Sequence, residues 1–422
     1  MRRLVMLLRF RGANHRSFRD EFEIWLAASK FNQGARRPAG LAEDPDLAYL
    51  PATAIYGSNA SGKSNVLHAI RWMRQAVLNS VHGWSALDGI PREPYELDPA
   101  ARSDASLFEV DIVLDGDRYV YGFEVSDERV ETEWLHAYPG GQARRQIWFE
   151  RDADVSESFA FPGEGLKGPK EGLVSQTRPN ALFLTVAAAF NQPHLKPIHD
   201  WFRHNLWWIS PGRDFEDRQS FTRKLLDDAR QRDRIIGLLK VADLGIVGAK
   251  VDPLTGELRL SHQGTHGAVA LSYERQESMG TRSWFAFLGL LLTTLDHGAA
   301  LLVDELDTSL HPLFAAEVLR LFQDPAANPN NAQLLCTVHD ATLLGRTHIF
   351  QPLERDQVRI TVKNQAGASE IYPLTDARPR KTEALDRNYL AGAYGGVPRL
   401  TVGEIAETLA SPLTEPTTEV RT

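Results

Sequence analysis

The chain lacks the features that stabilise proteins outside the cell or hold them in a membrane. Its 422 residues include one cysteine, Cys336, which excludes an intramolecular disulfide framework and a cysteine-based zinc site. The basic and apolar start, MRRLVMLLRF, is interrupted by Arg9 and has no small-residue cleavage site after it, unlike a secretory signal. No apolar run approaches the length that spans a bilayer. We expect a cytoplasmic protein without membrane contact.

The chain also lacks an excess of positive charge. Forty-seven Lys and Arg stand against 55 Asp and Glu, a formal net charge of -8. A contact with DNA or RNA would therefore need a local cluster of basic side chains. With 43% hydrophobic and 24% charged residues and no internal repeat, the composition indicates a globular protein of two or three domains, or one elaborated domain.

A glycine-rich loop with a lysine lies in IYGSNASGKSNVLHAI, residues 55–70. An apolar strand pattern precedes the loop and helical spacing follows it, as in phosphate-binding loops. Glycines let such a loop curl with its N–H groups pointing at a phosphate. Lys63 would reach the outer phosphates of a nucleotide, and Ser64 would bind Mg²⁺. The candidate phosphate-binding residues are Gly57, Ser58, Asn59, Ala60, Ser61, Gly62, Lys63, Ser64 and Asn65.

Two further polar sites follow predicted strands downstream. LLVDELDTSLHP places Asp304 and Glu305 after four apolar residues, at the end of a strand where open parallel sheets bind ligands. We expect Asp304 to hold Mg²⁺ and Glu305 to polarise the attacking water. His339, in CTVHD, follows the next strand and is placed to contact the γ-phosphate. These residues predict catalysis by Glu305, His339 and Lys63.

Four motifs in this order, GSNASGKS, QESMGTRS, LLVDELDTSLHP and TVHD, resemble those of ATPases with the ABC-type head of the SMC, RecF and OLD-like group. The resemblance implies an α/β fold of the P-loop NTPase type, with ATP and Mg²⁺ as cofactors. It also implies a homodimer through ATP-bound heads, or a higher oligomer. In such a dimer Ser278 and Gly280 would contact the γ-phosphate bound by the other subunit. A helix N-terminus suits that contact with an anion.

A narrower resemblance connects the chain to the RloA and AbiLi ATPases of bacterial abortive-infection modules. It rests on GKSN, the NHRSF turn, the meander FEVDIVLDGDRYVYGFEV and RNYLAGAYGGVP at 387–398. It implies an anti-phage ATPase that acts with a separate RloB-like nuclease-type partner. Two positions depart from the wider group: His311 stands where transporters have an acidic D-loop residue, and no Q-loop glutamine can be placed.

The pattern along the chain predicts four segments. Residues 1–180 form a nucleotide-binding lobe with the phosphate loop and an antiparallel β meander, and 181–270 form a helical insertion. Residues 271–375 hold the signature loop with Ser278 and Gly280, the strand that ends at Asp304, and His339, the residue expected to contact the γ-phosphate. Residues 376–422 form a C-terminal segment with a mobile tail. The stretch 31–45 is expected to be an exposed loop. The aromatic and charged segment 201–234 is either core with a solvated helix face or a surface for a partner.

Two other functions remain open from the sequence. A RecF-like DNA-repair ATPase would bind DNA in a salt-sensitive way without a partner. A nucleotide-binding subunit of a membrane transporter is disfavoured by GKSN, the unplaced Q-loop and the segment 387–398.

Overall fold

The computed structural model describes residues 5–29, 36–41, 44–85, 87–141, 144–211, 214–242, 245–308, 310–346, 350–380, 383–398 and 403–410. The strands are β1 Val5–Ala13, β2 Phe22–Trp25, β3 Arg37–Pro38, β4 Ala48–Tyr49, β5 Ala52–Gly57, β6 Ser106–Leu114, β7 Asp117–Val125, β8 Val130–Tyr138, β9 Gln146–Asp152, β10 Phe159–Ala160, β11 Leu206–Ile209, β12 Ile246–Val251, β13 Leu258–Gly264, β14 Gly267–Ser272, β15 Ala300–Val303, β16 Gln333–Thr337, β17 Val358–Lys363 and β18 Ser369–Pro373.

The helices surround and connect these strands. They are α1 Lys63–Asn79, α2 Pro99–Ser103, α3 Glu171–Gln176, α4 Phe183–Ala189, α5 Lys196–His204, α6 Phe215–Leu225, α7 Ala229–Ala242, α8 Tyr273–Gln276, α9 Met279–His297, α10 Pro312–Gln323, α11 Leu385–Leu390 and α12 Glu404–Ala410. Within the described residues, no helix combines the length and apolar character needed to cross a bilayer.

A six-stranded sheet in the order β11-β15-β16-β5-β17-β18 carries the chemistry-bearing loops. The five strands from β11 to β17 are parallel, and β18 returns antiparallel to β17. β5, β15 and β16 are buried along their whole lengths, as expected of parallel strands covered on both faces. Because their carboxyl ends share one edge, the segments after them meet there.

A second, seven-stranded sheet has the order β10-β9-β8-β7-β6-β1-β2, and all of its pairings are antiparallel. Helix α1 contributes Val66, Leu67 and Ile70 to a hydrophobic core that also includes Phe108 and Phe123 of this sheet. The predicted meander is therefore confirmed, and the helix that begins at the phosphate loop is packed against it.

Helix α9 belongs to a second core on the other side of the six-stranded sheet. Trp284, Phe285 and Leu288 are buried there with Leu301 and Leu334 of the sheet. Since apolar residues occur nearly all round this helix, burial on most of its surface is its stable environment. The prediction of a buried helix over 284–295 is confirmed.

Two expectations need correction. The helical segment 181–270 also contains strands, β11 through β14, and β11 extends the six-stranded sheet by pairing with β15. Of the stretch 31–45, residues 31–35 and 42–43 lie outside the described residues. In the described part, Arg37–Pro38 pairs with Ala48–Tyr49, and Ala39 and Leu41 are buried, because they cover a patch of the seven-stranded sheet. In the C-terminal segment, Glu404–Ala410 is helical and 411–422 lies outside the described residues, so the mobility of the tail stays a prediction.

Candidate functional site

The glycine-rich loop connects β5 to α1 and is shaped by two close approaches. A Cβ on Gly57 would lie 2.2 Å from the Thr361 hydroxyl of the neighbouring strand, and one on Gly62 would lie 2.4 Å from the hydroxyl of Ser369. Gly62 also adopts a φ of +107°, which side chains rarely allow. The hydroxyl of Ser61 lies 2.6 Å from that of Thr361. β17 and β18 thus form the wall behind the loop.

The ammonium group of Lys63 lies at the centre of this loop. Its Nζ donates to the carbonyl oxygens of Gly57, at 2.7 Å, and Ser58, at 3.0 Å. Burial lowers the pKa of Lys63, and the nearby carboxylates of Glu305 and Asp304 oppose that effect. The direct hydrogen-bond partners of this ammonium are neutral carbonyls, so an anionic phosphate would make a favourable charged contact there.

Ser64 and Asp304 meet across the edge of the six-stranded sheet. The Ser64 hydroxyl donates to Oδ1 of Asp304 at 2.8 Å. The same carboxylate oxygen accepts from the hydroxyl of Thr337 at 2.7 Å, and that hydroxyl accepts from the backbone N–H of Glu305, also at 2.7 Å. A hydroxyl and a carboxylate are hard oxygen ligands of the kind that Mg²⁺ prefers.

Few protein ligands are available for a metal at this position. Among the residues that the structure describes, no group of three or more His, Cys, Asp or Glu could hold a metal ion. Mg²⁺ fits such a site because it usually keeps several waters and shares its remaining ligands between one or two protein oxygens and phosphates. Ser64 and Asp304 would together supply those protein oxygens.

Glu305 lies directly beyond Asp304 in a backbone conformation that places its carboxylate at the rim. Its φ is 54°, in the left-handed region. Oε2 accepts from the Thr308 hydroxyl at 3.0 Å, and Oε1 lies 3.7 Å from Nε2 of His339. Asp307 accepts from the backbone N–H groups of His339, at 2.8 Å, and Asp340, at 2.5 Å, and so fixes the segment after β16. The two predicted catalytic side chains are therefore neighbours.

These groups surround a cavity of about 650 Å³. Its lining residues are Ser17, Asn59, Ala60, Gly62, Lys63, Ser64, Asn65, Glu305, Thr308, His339 and Lys363. Asp304 lies behind this lining, joined to it through Ser64. Gly57, Ser58 and Ser61 are not part of the lining and form the back of the loop.

Three lining residues, Ser17, Thr308 and Lys363, were not identified from the sequence. Ser17 is held by Asn65, whose Nδ2 donates to its hydroxyl at 2.7 Å, and by Ser369, whose hydroxyl donates to it at 2.7 Å. The Asn of GKSN thus connects the loop helix to the turn after β1. The only sequence signal for Ser17 was its place in the NHRSF turn.

The signature residues lie apart from this cavity. Ser278 and Gly280 are exposed and do not line it. Ser278 caps α9, since its hydroxyl oxygen accepts from the N–H of Thr281 at 3.1 Å. A Cβ on Gly280 would approach only the Ser278 hydroxyl, at 3.7 Å, so the first turn of α9 is open to a ligand from outside. His311, which stands where transporters have an acidic D-loop residue, caps α10.

The segment after β11 borders the site from another side. Ser210 and Pro211 line a cavity of about 360 Å³ together with Ser64, Asp304 and Glu305. The backbone N–H of Asp304 donates to the carbonyl of Ile209, the last residue of β11, at 2.9 Å.

Comparisons with known proteins give one family match. Residues 52–345 match the family described as "AAA domain, putative AbiEii toxin, Type IV TA system". None of the curated proteins matches the sequence. Among solved structures, the chain is similar to the SMC head domain from Thermotoga maritima, with 14% identity and a TM-score of 0.41, covering 88% of this chain and 99% of that one.

A second similar structure is the SMC head bound to the C-winged helix domain of ScpA, with 13% identity and a TM-score of 0.45, covering 88% of this chain and 99% of that chain. The family match spans well over half of the chain and includes the phosphate loop, both carboxylates and His339. The protein belongs to this AAA-domain family, and it is an ATPase with the P-loop NTPase fold.

Proposed function

We propose that the chain binds and hydrolyses ATP with the residues predicted from its sequence and that ATP joins two copies head to head. Lys63 and the loop from Gly57 to Asn65 hold the phosphates. Ser64 and Asp304 hold Mg²⁺, which neutralises phosphate charge when bound. Glu305 accepts a proton from the attacking water, and His339 contacts the γ-phosphate.

We propose a dimer because the signature residues Ser278 and Gly280 do not line the cavity of their own chain. Ser278 and Gly280 are exposed at the N-terminus of a 19-residue helix, while the cavity is lined by other segments of the same chain. A helix N-terminus attracts an anion through its free N–H groups and its dipole. A second copy facing the first supplies this group to the γ-phosphate, and each cavity is completed by its partner.

The experiment is the mass in solution of the Glu305→Gln variant with and without ATP. We expect an ATP-dependent dimer, because loss of the base leaves bound ATP intact. Adding Ser278→Asp should abolish the dimer, since a carboxylate would face the γ-phosphate while still capping α9. Ser278→Thr keeps both the cap and the hydroxyl and is the matched control. If the mass in solution is the same with and without ATP, although a fluorescent analogue shows that ATP binds, the head-to-head mechanism is contradicted.

We further propose that the ATPase is the sensor or regulator subunit of an anti-phage abortive-infection system with a separately encoded nuclease-like partner. Two observations support this role: the AbiEii toxin named in the family description, and the resemblance to the RloA and AbiLi ATPases. The test is phage plating on cells that carry the gene with its neighbours. Lys63→Ala should remove protection, and equal protection by wild type and Lys63→Ala would contradict the role.

A further inference from the structure

A second lysine, Lys363, lines the nucleotide cavity together with Lys63. It is the last residue of β17, and its side chain is exposed. Within the part of the chain that the structure describes, its ammonium group forms no ion pair. The nearby carboxylates of Glu305 and Asp304 act instead on Lys63, whose pKa they raise against the effect of burial. Lys363 therefore brings to the cavity a positive charge that is available to an anionic ligand.

The register of β17 turns Lys363 toward the phosphate loop. Thr361, two residues earlier, pairs with Gly57 of β5, and a Cβ on that glycine would lie 2.2 Å from the Thr361 hydroxyl. Residues two apart on a strand share a face, so Lys363 lies on the side of Thr361, about 7 Å further along the strand. Ser369, opposite Lys363 on β18, also faces the loop, since its hydroxyl lies 2.4 Å from where a Cβ on Gly62 would be.

The hairpin that joins β17 to β18 leaves room for the side chain of Lys363. Gly367 of this hairpin has a φ of +81°, and Cε of Lys363 lies 3.9 Å from the position that a Cβ on the glycine would take. Tyr95 holds the hairpin in place, because its hydroxyl donates to the carbonyl of Ala366 at 2.6 Å. A side chain that lies along a fixed turn loses less conformational entropy when its ammonium group binds an anion.

Lys363 and the predicted catalytic residues lie on opposite sides of the phosphate loop. In the sheet order β15-β16-β5-β17, Glu305 and His339 follow β15 and β16, the loop follows β5, and Lys363 ends β17. Neighbouring strands are about 4.8 Å apart, so the cavity crosses several strand ends. A nucleotide with its γ-phosphate at Glu305 and His339, and with Lys63 at the centre of its phosphates, extends its α-phosphate toward β17.

We propose that Lys363 binds the α-phosphate of the nucleotide. The inference rests on the placement of ATP proposed above, with the γ-phosphate at Glu305 and His339. An ammonium group makes a charge-assisted hydrogen bond to a phosphate oxygen, and such a bond is stronger than one between neutral groups. Because ADP carries the same α-phosphate, Lys363 stabilises bound ATP and bound ADP alike, whereas His339 meets a phosphate that only ATP has.

The test is isothermal titration calorimetry of Lys363→Met with ATP, ADP and inorganic tripolyphosphate in the presence of Mg²⁺. Methionine keeps most of the apolar stem and removes the charge. We expect each of the three affinities to fall by about tenfold, as on loss of a hydrogen bond between charged groups, and Lys363→Arg to retain most of the binding. Lys250→Met, at an exposed lysine of β12 in the separate three-stranded sheet, is the matched control and should bind as wild type does.

Tripolyphosphate separates the α-phosphate from the nucleoside, because it has three phosphates and neither sugar nor base. If Lys363→Met weakens ATP binding but not tripolyphosphate binding, the lysine contacts the ribose or the base, and the inference is overturned. Wild-type affinity of Lys363→Met for ATP and ADP would also overturn it, and loss of binding in Lys63→Ala would then show that the proposed ATP site itself stands. If the wild-type protein binds neither ATP nor tripolyphosphate, the proposed site and this inference both fail.

Discussion

The hydroxyl of Thr337 donates to Asp304 across two neighbouring parallel strands, at 2.7 Å, and accepts the backbone N–H of Glu305 at the same distance. One side chain at the end of β16 thus positions both carboxylate residues at the end of β15. It does so without lining the nucleotide cavity, so we assign it a positioning role. Its effect should appear mainly in how well Mg²⁺ is held and in the rate of hydrolysis.

Thr337→Val replaces this hydroxyl with a methyl group of similar size. We expect the apparent Mg²⁺ affinity or kcat to fall by about 10- to 100-fold, as is typical when groups that orient metal ligands are removed, with a small effect on KM for ATP. Steady-state ATPase assays over a Mg²⁺ titration measure the apparent Mg²⁺ affinity, kcat and KM for ATP separately. The matched control is Thr53→Val on the adjacent β5, whose buried hydroxyl has no hydrogen-bond partner within the described residues. An unchanged Mg²⁺ dependence in Thr337→Val would contradict the positioning role.

Glu305 has a φ of 54°, a conformation that costs a side chain about 1 kcal/mol and glycine much less. Both Glu305→Ala and Glu305→Gly should abolish hydrolysis, because each removes the carboxylate. The glycine variant should nevertheless be more stable than the alanine variant by about 1 kcal/mol. Urea unfolding of the two nucleotide-free variants compares them directly. Equal stability would mean that the backbone at this position relaxes when the carboxylate is lost.

The pair formed by His15 and by His68 of the phosphate-loop helix predicts a pH dependence of stability. Nε2 of His15 lies 3.0 Å from Nδ1 of His68, whose Nε2 lies 3.6 Å from Glu93. Burial, with His68 and Arg16 nearby, lowers the pKa of His15 well below its ordinary value of 6.5. The folded state therefore binds fewer protons than the unfolded state once the pH falls below 6.5.

Stability from His15 is thus fully present above pH 6.5 and is lost as the pH falls toward the lowered folded pKa, by about 1.4 kcal/mol per pH unit. His15→Gln should lose less stability than wild type between neutral and mildly acidic pH. Denaturant unfolding at several pH values measures the two slopes. His82→Gln, at an exposed histidine, should keep the wild-type slope. Parallel slopes for wild type and His15→Gln would show that His15 does not titrate as proposed.

Local pattern was sufficient to predict some elements but not others. β15 and β16 are short apolar runs ending in polar motifs, and a parallel sheet brings such ends together whatever the exact register. β11, with the sequence LWWI, is too short for periodicity to distinguish strand from helix, and its assignment depends on pairing with β15. Thr337 and Lys363 reach the site through the register of neighbouring strands, a non-local property that the sequence pattern does not reveal.

The sequence made segment 201–234 a candidate partner surface. The structure shows which of its residues are exposed and could contact a partner. Trp201 and Phe202 are buried in the core, with exposed fractions of 1% and 0%. On α7, Arg234 pairs with Asp296 of α9 at 2.7 Å, so reversing its charge would disturb the fold. Arg230 is exposed and is therefore the cleaner position to change.

Arg230→Glu should weaken capture of the nuclease-like partner while leaving ATP binding and the melting temperature unchanged, because it changes surface charge without breaking the contact between α7 and α9. Co-purification of the tagged partner at low and moderate salt measures capture, and a fluorescent ATP analogue measures nucleotide binding. Arg102→Glu, at an exposed arginine of α2, is the matched control and should capture the partner as wild type does. If Arg230→Glu captures the partner as strongly as wild type at both salt concentrations, the partner does not bind through this part of α7.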